Sequence, residues 1–266
     1  MINQSAKTFL QRQLALTQLN LRGFAVAANQ SKQIHLLLFG APGVGKGTYS
    51  KLIEKDFDMP TFSMGEYFRG LINNPSADQA DPFLNQVRGI LRSGKLVNDQ
   101  TVIDVVKNIK LSKKFDQHQG MQFDGVPRTL NQAKMMSEFL KIDLVINFFN
   151  RDDILLEKLM SRRVCPSCSK NYNVANINRD GYHMKPLLPK KDVCKCDVCN
   201  VNLVIRDDDK ESIIKDRMDV YRNQTQPILD FYKSISQETK VIDFEAKKGI
   251  DDYPEIKQIL KDTLKI

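Results

Sequence analysis

The sequence predicts an α/β fold in which helices cover both faces of a parallel sheet. Three observations predict it: short apolar runs that suit buried strands, segments with helical periodicity between and after them, and a glycine-rich loop directly after the first run. The apolar runs occupy residues 34–39, 59–62, 121–123, 144–149 and 241–244. Strands that are apolar on both faces are typical of parallel sheets with helical connections.

Helices are predicted where apolar residues recur three and four positions apart. Residues 101–109 carry such a stripe, and so do residues 151–160 and 253–266. A fourth helix is expected directly after the glycine-rich loop, over residues 49–55. By contrast, residues 165–199 are rich in Asn, Lys, Pro and Gly and show little periodicity. We expect them to form a small insertion that needs its own cross-link.

Composition narrows the classes of function. The chain has 266 residues, of which 41% are hydrophobic, enough for one sizeable core with smaller insertions. No apolar run approaches the ~20 residues of a membrane-spanning helix. The net charge of +8 favours anionic partners. Because lysine and arginine form no dense block, phosphorylated small molecules are expected as partners, and neither nucleic acid nor a membrane.

Residues 1–32 form a distinct N-terminal extension. It is basic, contains no Asp or Glu, and has apolar residues at helical spacing; the first acidic residue of the chain is Glu54. This composition is typical of a mitochondrial targeting segment. We therefore expect a mitochondrial protein, in the matrix or the intermembrane space. The alternative is an extra surface helix on a cytoplasmic enzyme.

The glycine-rich loop has the pattern of a phosphate-binding loop (P-loop). It reads GAPGVGKGT over residues 40–48 and lies between a predicted strand and a predicted helix, which is the context that this motif requires. Glycines let backbone N–H groups approach phosphate oxygens, and the helix N-terminus adds partial positive charge. Lys46 supplies a full charge, and the Thr48 hydroxyl suits Mg²⁺ or a phosphate oxygen. The residues expected to bind the donor are Gly40, Gly43, Gly45, Lys46, Gly47 and Thr48.

Five further motifs follow along the chain: SMGEYFR at residues 63–69, GKLV at 94–97, DGVPRT at 124–129 with Gln132 beyond it, SRR at 161–163, and RDDDK at 206–210 with Arg217 later. These motifs resemble those of the adenylate kinases, which are nucleoside monophosphate kinases. They occur in the family's order and near its spacing, so the resemblance covers residues 33–266. It implies reversible phosphoryl transfer from MgATP to AMP, giving two ADP. It also implies a monomer, since most members of this kind are monomeric.

The resemblance also implies a domain organisation. The expected P-loop core, a five-stranded parallel sheet flanked by helices, comprises residues 33–62, 98–161 and 207–266. A helical insertion at residues 63–97 would bind the nucleoside monophosphate, and residues 162–206 would form a lid. Both would close to exclude water, because an open site would hydrolyse the donor.

Roles for individual residues follow from the matched motifs. Arginine suits them because its planar guanidinium binds two phosphate oxygens at once. The residues implied to be catalytic are Lys46, Asp124, Arg128, Arg162, Arg206 and Arg217, with Asp124 orienting Mg²⁺ through water. Those implied to bind AMP are Ser63, Met64, Arg69, Lys95, Val97, Gly125, Arg128 and Gln132, and Lys158 joins the donor site. No general base is needed, because the acceptor is already a phosphate oxyanion.

The cysteines suggest a structural metal site. Cys165, Cys168, Cys196 and Cys199 form two Cys-x-x-Cys pairs, which suit a tetrahedral zinc ion. Some members of the family carry such a zinc knuckle in the lid. Cys194 leaves five candidates for four positions, and the spacing favours Cys196. Reduced thiols without a metal are the alternative.

Four positions depart from the family pattern and keep other functions open. Met64, Glu66 and Val126 alter the expected AMP pocket, and Lys158 stands where the family often has an arginine that stacks on the donor base. GTP could therefore replace ATP as donor, as in the GTP:AMP branch, and a catalytically weak nucleotide-binding protein is conceivable. A UMP or CMP kinase would have a short lid. A zinc-ribbon nucleic-acid-binding module is the remaining alternative.

Overall fold

The computed structural model describes residues 33–73, 81–113 and 115–266. The N-terminal extension, residues 1–32, lies outside these ranges, and so does the targeting segment predicted there. Within the described part of the chain, no helix is both long enough and apolar enough to cross a membrane.

The described chain alternates between strands and helices. The strands are β1 (Ile34–Gly40), β2 (Thr61–Ser63), β3 (Gly120–Asp124), β4 (Leu144–Phe149), β5 (Arg162–Val164), β6 (Asn171–Asn173), β7 (Ile177–Arg179), β8 (Tyr182–Met184) and β9 (Lys240–Glu245). The helices are α1 (Lys46–Phe57), α2 (Met64–Ile72), α3 (Pro82–Ser93), α4 (Asp99–Leu111), α5 (Leu130–Ser137), α6 (Asp152–Met160), α7 (Glu211–Val220), α8 (Ile228–Ser234) and α9 (Tyr253–Leu264).

Five strands form one parallel sheet in the order β2-β3-β1-β4-β9. Side chains of β1 alternate between two apolar layers, as the pleat requires. Leu37 packs in one layer with helices α4, α5 and α8, and Leu36 and Leu38 pack in the other with α1, α6 and α9. The predicted five-stranded parallel sheet with helices on both faces is confirmed.

One predicted strand is shifted. Residues 59–62 were predicted, whereas β2 spans Thr61–Ser63. Pro60 has no N–H to give to a ladder, so pairing begins after it, although its carbonyl accepts the Gln122 N–H at 2.9 Å. The apolar Met59 is instead buried beneath the sheet, and its carbonyl accepts the Gln122 side-chain amide at 2.6 Å.

Residues 162–206 hold more regular structure than their composition predicts. Strand β5 pairs with β6, and β7 pairs with β8, each antiparallel. The β7–β8 turn contains Asp180 and Gly181 with φ of 51° and 82°. Two positive φ values are what a tight hairpin turn of type I′ needs, and the Asp-Gly pair supplies them.

Candidate functional site

A deep cleft opens at the carboxyl ends of the central strands, where ligands bind in open α/β sheets. Its volume is about 290 Å³. Strand β1 ends here in Gly40, which begins the P-loop, and β3 ends in Asp124. Helix α2 starts at the same edge, with the Ser63 side chain capping its first turn.

All the residues for which the sequence predicts nucleotide contacts line this cleft. From the P-loop and α6 they are Gly40, Gly43, Gly45, Lys46, Gly47, Thr48 and Lys158; from the predicted acceptor side they are Ser63, Met64, Arg69, Lys95, Val97, Asp124, Gly125, Arg128 and Gln132; and from residues 162–217 they are Arg162, Arg206 and Arg217. Residues as far apart in the chain as Gly40 and Arg217 thus meet at one site.

The P-loop owes its shape to glycine. Gly40, Gly43 and Gly45 have φ of 137°, 85° and 119°, values that disfavour side chains. A Cβ on Gly40 would lie 2.2 Å from the Phe148 carbonyl oxygen, so this position has no room for any residue with a side chain. The loop therefore keeps its backbone open toward the cleft.

Lys46 lies at the floor of the cleft, and its ammonium donates to the carbonyls of Gly40 at 2.7 Å and Ala41 at 3.1 Å. Burial lowers the pKa of Lys46 to about 8; Asp124 opposes the shift, whereas Arg128 adds to it. A bound polyphosphate would favour the charged amine again, so this position suits an anionic ligand.

Two aspartates and two arginines form a buried network at one side of the cleft. The Arg162 guanidinium donates to both oxygens of Asp209, at 2.7 and 2.5 Å. Arg217 pairs with Asp209 at 3.0 Å and with Asp208 at 3.2 Å. The Asp209 side chain has no solvent exposure. Because a buried carboxylate must be paired, Asp209 keeps two arginines pointing into the cleft.

The other arginines have fewer carboxylate partners. Arg128 donates to the Gly125 carbonyl at 3.0 Å, and burial, together with nearby Arg217, lowers its pKa. Burial likewise lowers the pKa of Arg206, and Arg162 and Arg69 add to that shift. The cleft thus concentrates positive charge that a polyanionic ligand would neutralise.

Lys158 has a different setting from the stacking position that the sequence suggests. Its ammonium donates to the Val44 carbonyl of the P-loop at 2.8 Å and to Asn150 Oδ1 at 3.4 Å. Burial lowers its pKa to about 8, with Asp252 opposing the shift and Lys46 adding to it. The amine therefore supports the loop, while the side chain still lines the cleft, as predicted.

The sequence does not single out Asp99, which contacts Gln132 on the predicted acceptor side of the cleft. Gln132 is 1% exposed; its Oε1 accepts the Arg128 N–H at 2.7 Å, and its Nε2 donates to Asp99 Oδ1 at 2.8 Å. Thr129 donates to the same oxygen at 3.0 Å. Asp99 thereby fixes the orientation of the Gln132 amide. In the sequence it looks like an ordinary acidic residue in the first turn of a helix.

Four cysteines meet outside the cleft. The sulfurs of Cys165, Cys168, Cys196 and Cys199 all lie within 4.8 Å of one another, and those of Cys168 and Cys196 are 3.6 Å apart. Sulfurs around a tetrahedral zinc ion stand about 3.8 Å apart, so the donor set and spacing fit a metal ion. Cys194 is exposed and is not part of this group.

Comparison with known proteins identifies the family. The model of the adenylate kinase family matches residues 38–237. The chain belongs to the adenylate kinase family. The predicted family and enzyme class are confirmed: the protein is a nucleoside monophosphate kinase. Adenylate kinases bind nucleotides such as ATP or GTP and AMP, and use Mg²⁺.

Relatives of this adenylate kinase family member come from several kinds of organism. A GTP:AMP phosphotransferase of Plasmodium falciparum is 37% identical over 231 residues, covering 85% of this chain and 96% of the relative. A probable chloroplastic adenylate kinase of Oryza sativa is 32% identical over 252 residues, covering 89% and 81%. An adenylate kinase of Thermotoga neapolitana is 36% identical over 203 residues, covering 74% and 84%. The sequence similarity to this family thus extends over nearly the whole described chain.

Proposed function

We propose that this adenylate kinase family member transfers the γ-phosphoryl group of MgATP to AMP and so forms ADP. One observation carries the proposal: Lys46 and five arginines, Arg69, Arg128, Arg162, Arg206 and Arg217, line one cleft with the P-loop at one end and Gln132 at the other. Two polyanions would meet between these ends.

The chemistry needs positioning and charge stabilisation more than a proton acceptor. The phosphate of AMP is already an oxyanion, and the transferred group spreads negative charge over its oxygens in the transition state. Lys46 and the P-loop would hold the donor phosphates. Arg128 and the Asp209-bound pair, Arg162 and Arg217, would stabilise the charge that passes between donor and acceptor.

Two metal ions belong to the proposal. Mg²⁺ would accompany the donor and neutralise its phosphates, and the oxygen ligands it prefers are offered by Thr48 and Asp124, which both line the cleft. Zinc would be structural, because four thiolates, from Cys165, Cys168, Cys196 and Cys199, leave no open coordination position. No part of the reaction passes through the cysteine site.

We assign the moving parts as the family resemblance suggests, with residues 63–97 as the acceptor-binding insertion and residues 162–206 as the lid. An ion pair between Arg92 of α3 and Asp207, the core residue that directly follows the lid, 3.7 Å apart, is consistent with the acceptor-binding insertion approaching the base of the lid. We further propose a monomeric enzyme with no nucleic-acid partner, and a mitochondrial location based on residues 1–32.

GTP is the alternative donor, and two observations favour considering it. The Plasmodium falciparum relative is a GTP:AMP phosphotransferase. In addition, Lys158 uses its ammonium on the Val44 carbonyl, so the donor base lacks the arginine on which adenine often stacks in this family. Met64 and Val126, 5% and 0% exposed, are buried in the cleft wall on the proposed acceptor side. AMP remains the proposed acceptor.

The test is nucleoside diphosphate formation with Mg²⁺, using ATP or GTP as donor and AMP, CMP, UMP or GMP as acceptor. We expect turnover with AMP and little with the other three acceptors. A higher kcat/KM with ATP supports the main proposal, and a higher value with GTP supports the alternative. A folded, metal-loaded enzyme that turns over no pair would contradict the proposal.

A further inference from the structure

Residues 162–206 consist of two parts with different attachments. The first, here called the cysteine part, comprises residues 162–173 and 188–206. Its apolar cluster is formed by Cys165, Tyr172 and Cys196 with Cys199 and Leu203, all from the cysteine part itself. The second is the β7–β8 hairpin, residues 177–184. Its cluster, Ala175, Ile177, Tyr182 and Met184, also contains Ile154 of core helix α6.

Hydrogen bonds tie the hairpin to the core. The buried Tyr182 hydroxyl donates to Glu245 Oε1 at 2.7 Å and accepts the Arg151 N–H at 3.3 Å. The His183 N–H donates to the Lys247 carbonyl at 2.8 Å. Strand β8 is thereby fixed to the end of β9 and to the chain segment that follows it. The cysteine part contacts the core at other residues, through Arg162 on Asp209 and Asn173 on the Lys158 carbonyl, so the hairpin has its own attachment to the core.

Ion pairs add to this attachment at the hairpin turn. Arg151, just before α6, pairs with Asp180 of the turn at 2.9 Å. Arg179 pairs with Glu157 of α6 at 2.7 Å. Both pairs are partly exposed, so each contributes little by itself. They nevertheless connect the hairpin to α6, the helix that also carries Lys158.

The hairpin faces the donor end of the cleft. Ile177, Met184 and Lys185 line the cleft together with Gly249 and Ile250. A Cβ on Gly249 would lie 3.6 Å from that of Met184, so hairpin and core segment touch. The Tyr49 hydroxyl, in the first turn after the P-loop, donates to the Gly249 carbonyl at 2.8 Å. The hairpin and the segment around Gly249 therefore form a wall of the cleft that stands directly beside the phosphate-binding loop.

The wall also has free surface for a ligand. Ile250 is 42% exposed although apolar, and the Lys185 side chain is 84% exposed, with its ammonium 3.8 Å from an Asp251 carboxylate oxygen. An apolar side chain that lines a charged cleft gains by being covered, and the flat face of a nucleobase can cover it. A lysine beside it can donate to ring nitrogens or a carbonyl of the base.

We propose that the hairpin of residues 177–184 is a fixed, core-anchored wall of the donor-base site and does not move with the cysteine part. This inference rests on the proposed function, because it assumes that a nucleoside triphosphate occupies the cleft. It divides residues 162–206 functionally: the hairpin helps to hold the donor base in the open enzyme, and the cysteine part closes afterwards.

The test compares Tyr182→Phe with the wild-type enzyme, by equilibrium binding of MgATP and MgGTP without AMP and by the KM for AMP. The substitution removes the hydrogen bond from Tyr182 to the Glu245 carboxylate, which helps to hold the hairpin on the core. We expect this loss to weaken donor binding about tenfold and to leave the KM for AMP unchanged. Tyr253→Phe is the matched control: its hydroxyl donates to Asp56 at 3.1 Å on the core surface, away from the cleft, and donor binding should not change.

The outcomes separate this inference from the proposed function. A wild type that binds neither triphosphate contradicts the proposed function. A wild type that binds, with a Tyr182→Phe enzyme that binds equally well or loses AMP affinity to the same degree, contradicts only the anchored wall.

Hydrogen exchange of the nucleotide-free wild type gives a second test that needs no variant. The His183 amide should exchange at least about tenfold more slowly than those of Leu203 and Val204 in the cysteine part, because local opening of that part leaves the hairpin attached to the core. Equal or faster exchange at His183 would overturn the proposal.

Discussion

Replacing Lys46 with Met is expected to lower kcat/KM by about three orders of magnitude, the usual loss when a charged group that stabilises phosphoryl transfer is removed. Among the described residues of α1, Lys46 is the only lysine that lines the cleft. Methionine preserves the length of the side chain. Steady-state kinetics with saturating AMP and varied donor measure the effect.

The same substitution should leave the thermal unfolding midpoint near that of the wild type. Burial lowers the pKa of Lys46, which means that the charged amine is held at a cost in free energy. Methionine removes this cost. The gain in free energy offsets the loss of the two hydrogen bonds from Lys46 to the loop carbonyls. Lys51→Met is the matched control, since Lys51 lies on the same helix but at the surface, near Glu54. A Lys46→Met enzyme with about a tenth or more of the wild-type kcat/KM would contradict the role of Lys46.

Replacing Cys168 with Ser is expected to abolish tight zinc binding and to destabilise the cysteine part while the core remains folded. A structural zinc site supplies about 10 kcal/mol or more of folding free energy to a small domain, and this part has only a small apolar cluster around Tyr172. We expect about one zinc ion per wild-type chain, as one four-thiolate site requires. Metal analysis and thermal unfolding, before and after chelation, measure the change.

Cys194→Ser is the matched control for this change. Cys194 is exposed and lies outside the group of four sulfurs, so its replacement should preserve metal content and unfolding. Loss of zinc from the Cys194 variant, or full retention by Cys168→Ser, would contradict the assignment of the ligands. An unchanged unfolding profile of Cys168→Ser would contradict the stabilising role of the metal.

The parts of the fold that the sequence predicted are those encoded locally. The run of residues 34–39 is apolar on both faces, which only a sheet covered by two helical layers can bury, and the loop glycines after it have a spacing tied to one backbone shape. Predicting the start of β2 needed Pro60 to be weighed against the apolar Met59. The proline decided, because it cannot join the hydrogen-bonded ladder.

The parts that escaped prediction depend on distant partners. Lys158 supports the P-loop because the Val44 carbonyl lies within 2.8 Å, which no local pattern encodes. Asp99 orients Gln132 from 33 positions away. The hairpin of residues 177–184 did have a signal, the Asp180-Gly181 pair, which favours a two-residue turn. Its docking on Glu245 and Lys247 could not be predicted, since those residues lie at and just beyond the end of β9, far away in the sequence.

The most direct test of the central claim is to follow the γ-phosphoryl group of a labelled donor in the presence of AMP and Mg²⁺. The cleft brings arginines and Lys46 together around two nucleotide positions and is proposed to exclude water on closing. The label should therefore appear in the β-phosphate of ADP made from AMP, with very little in inorganic phosphate. Label released mainly as inorganic phosphate, or retained in the donor, would contradict a nucleotide-to-nucleotide phosphoryl transferase.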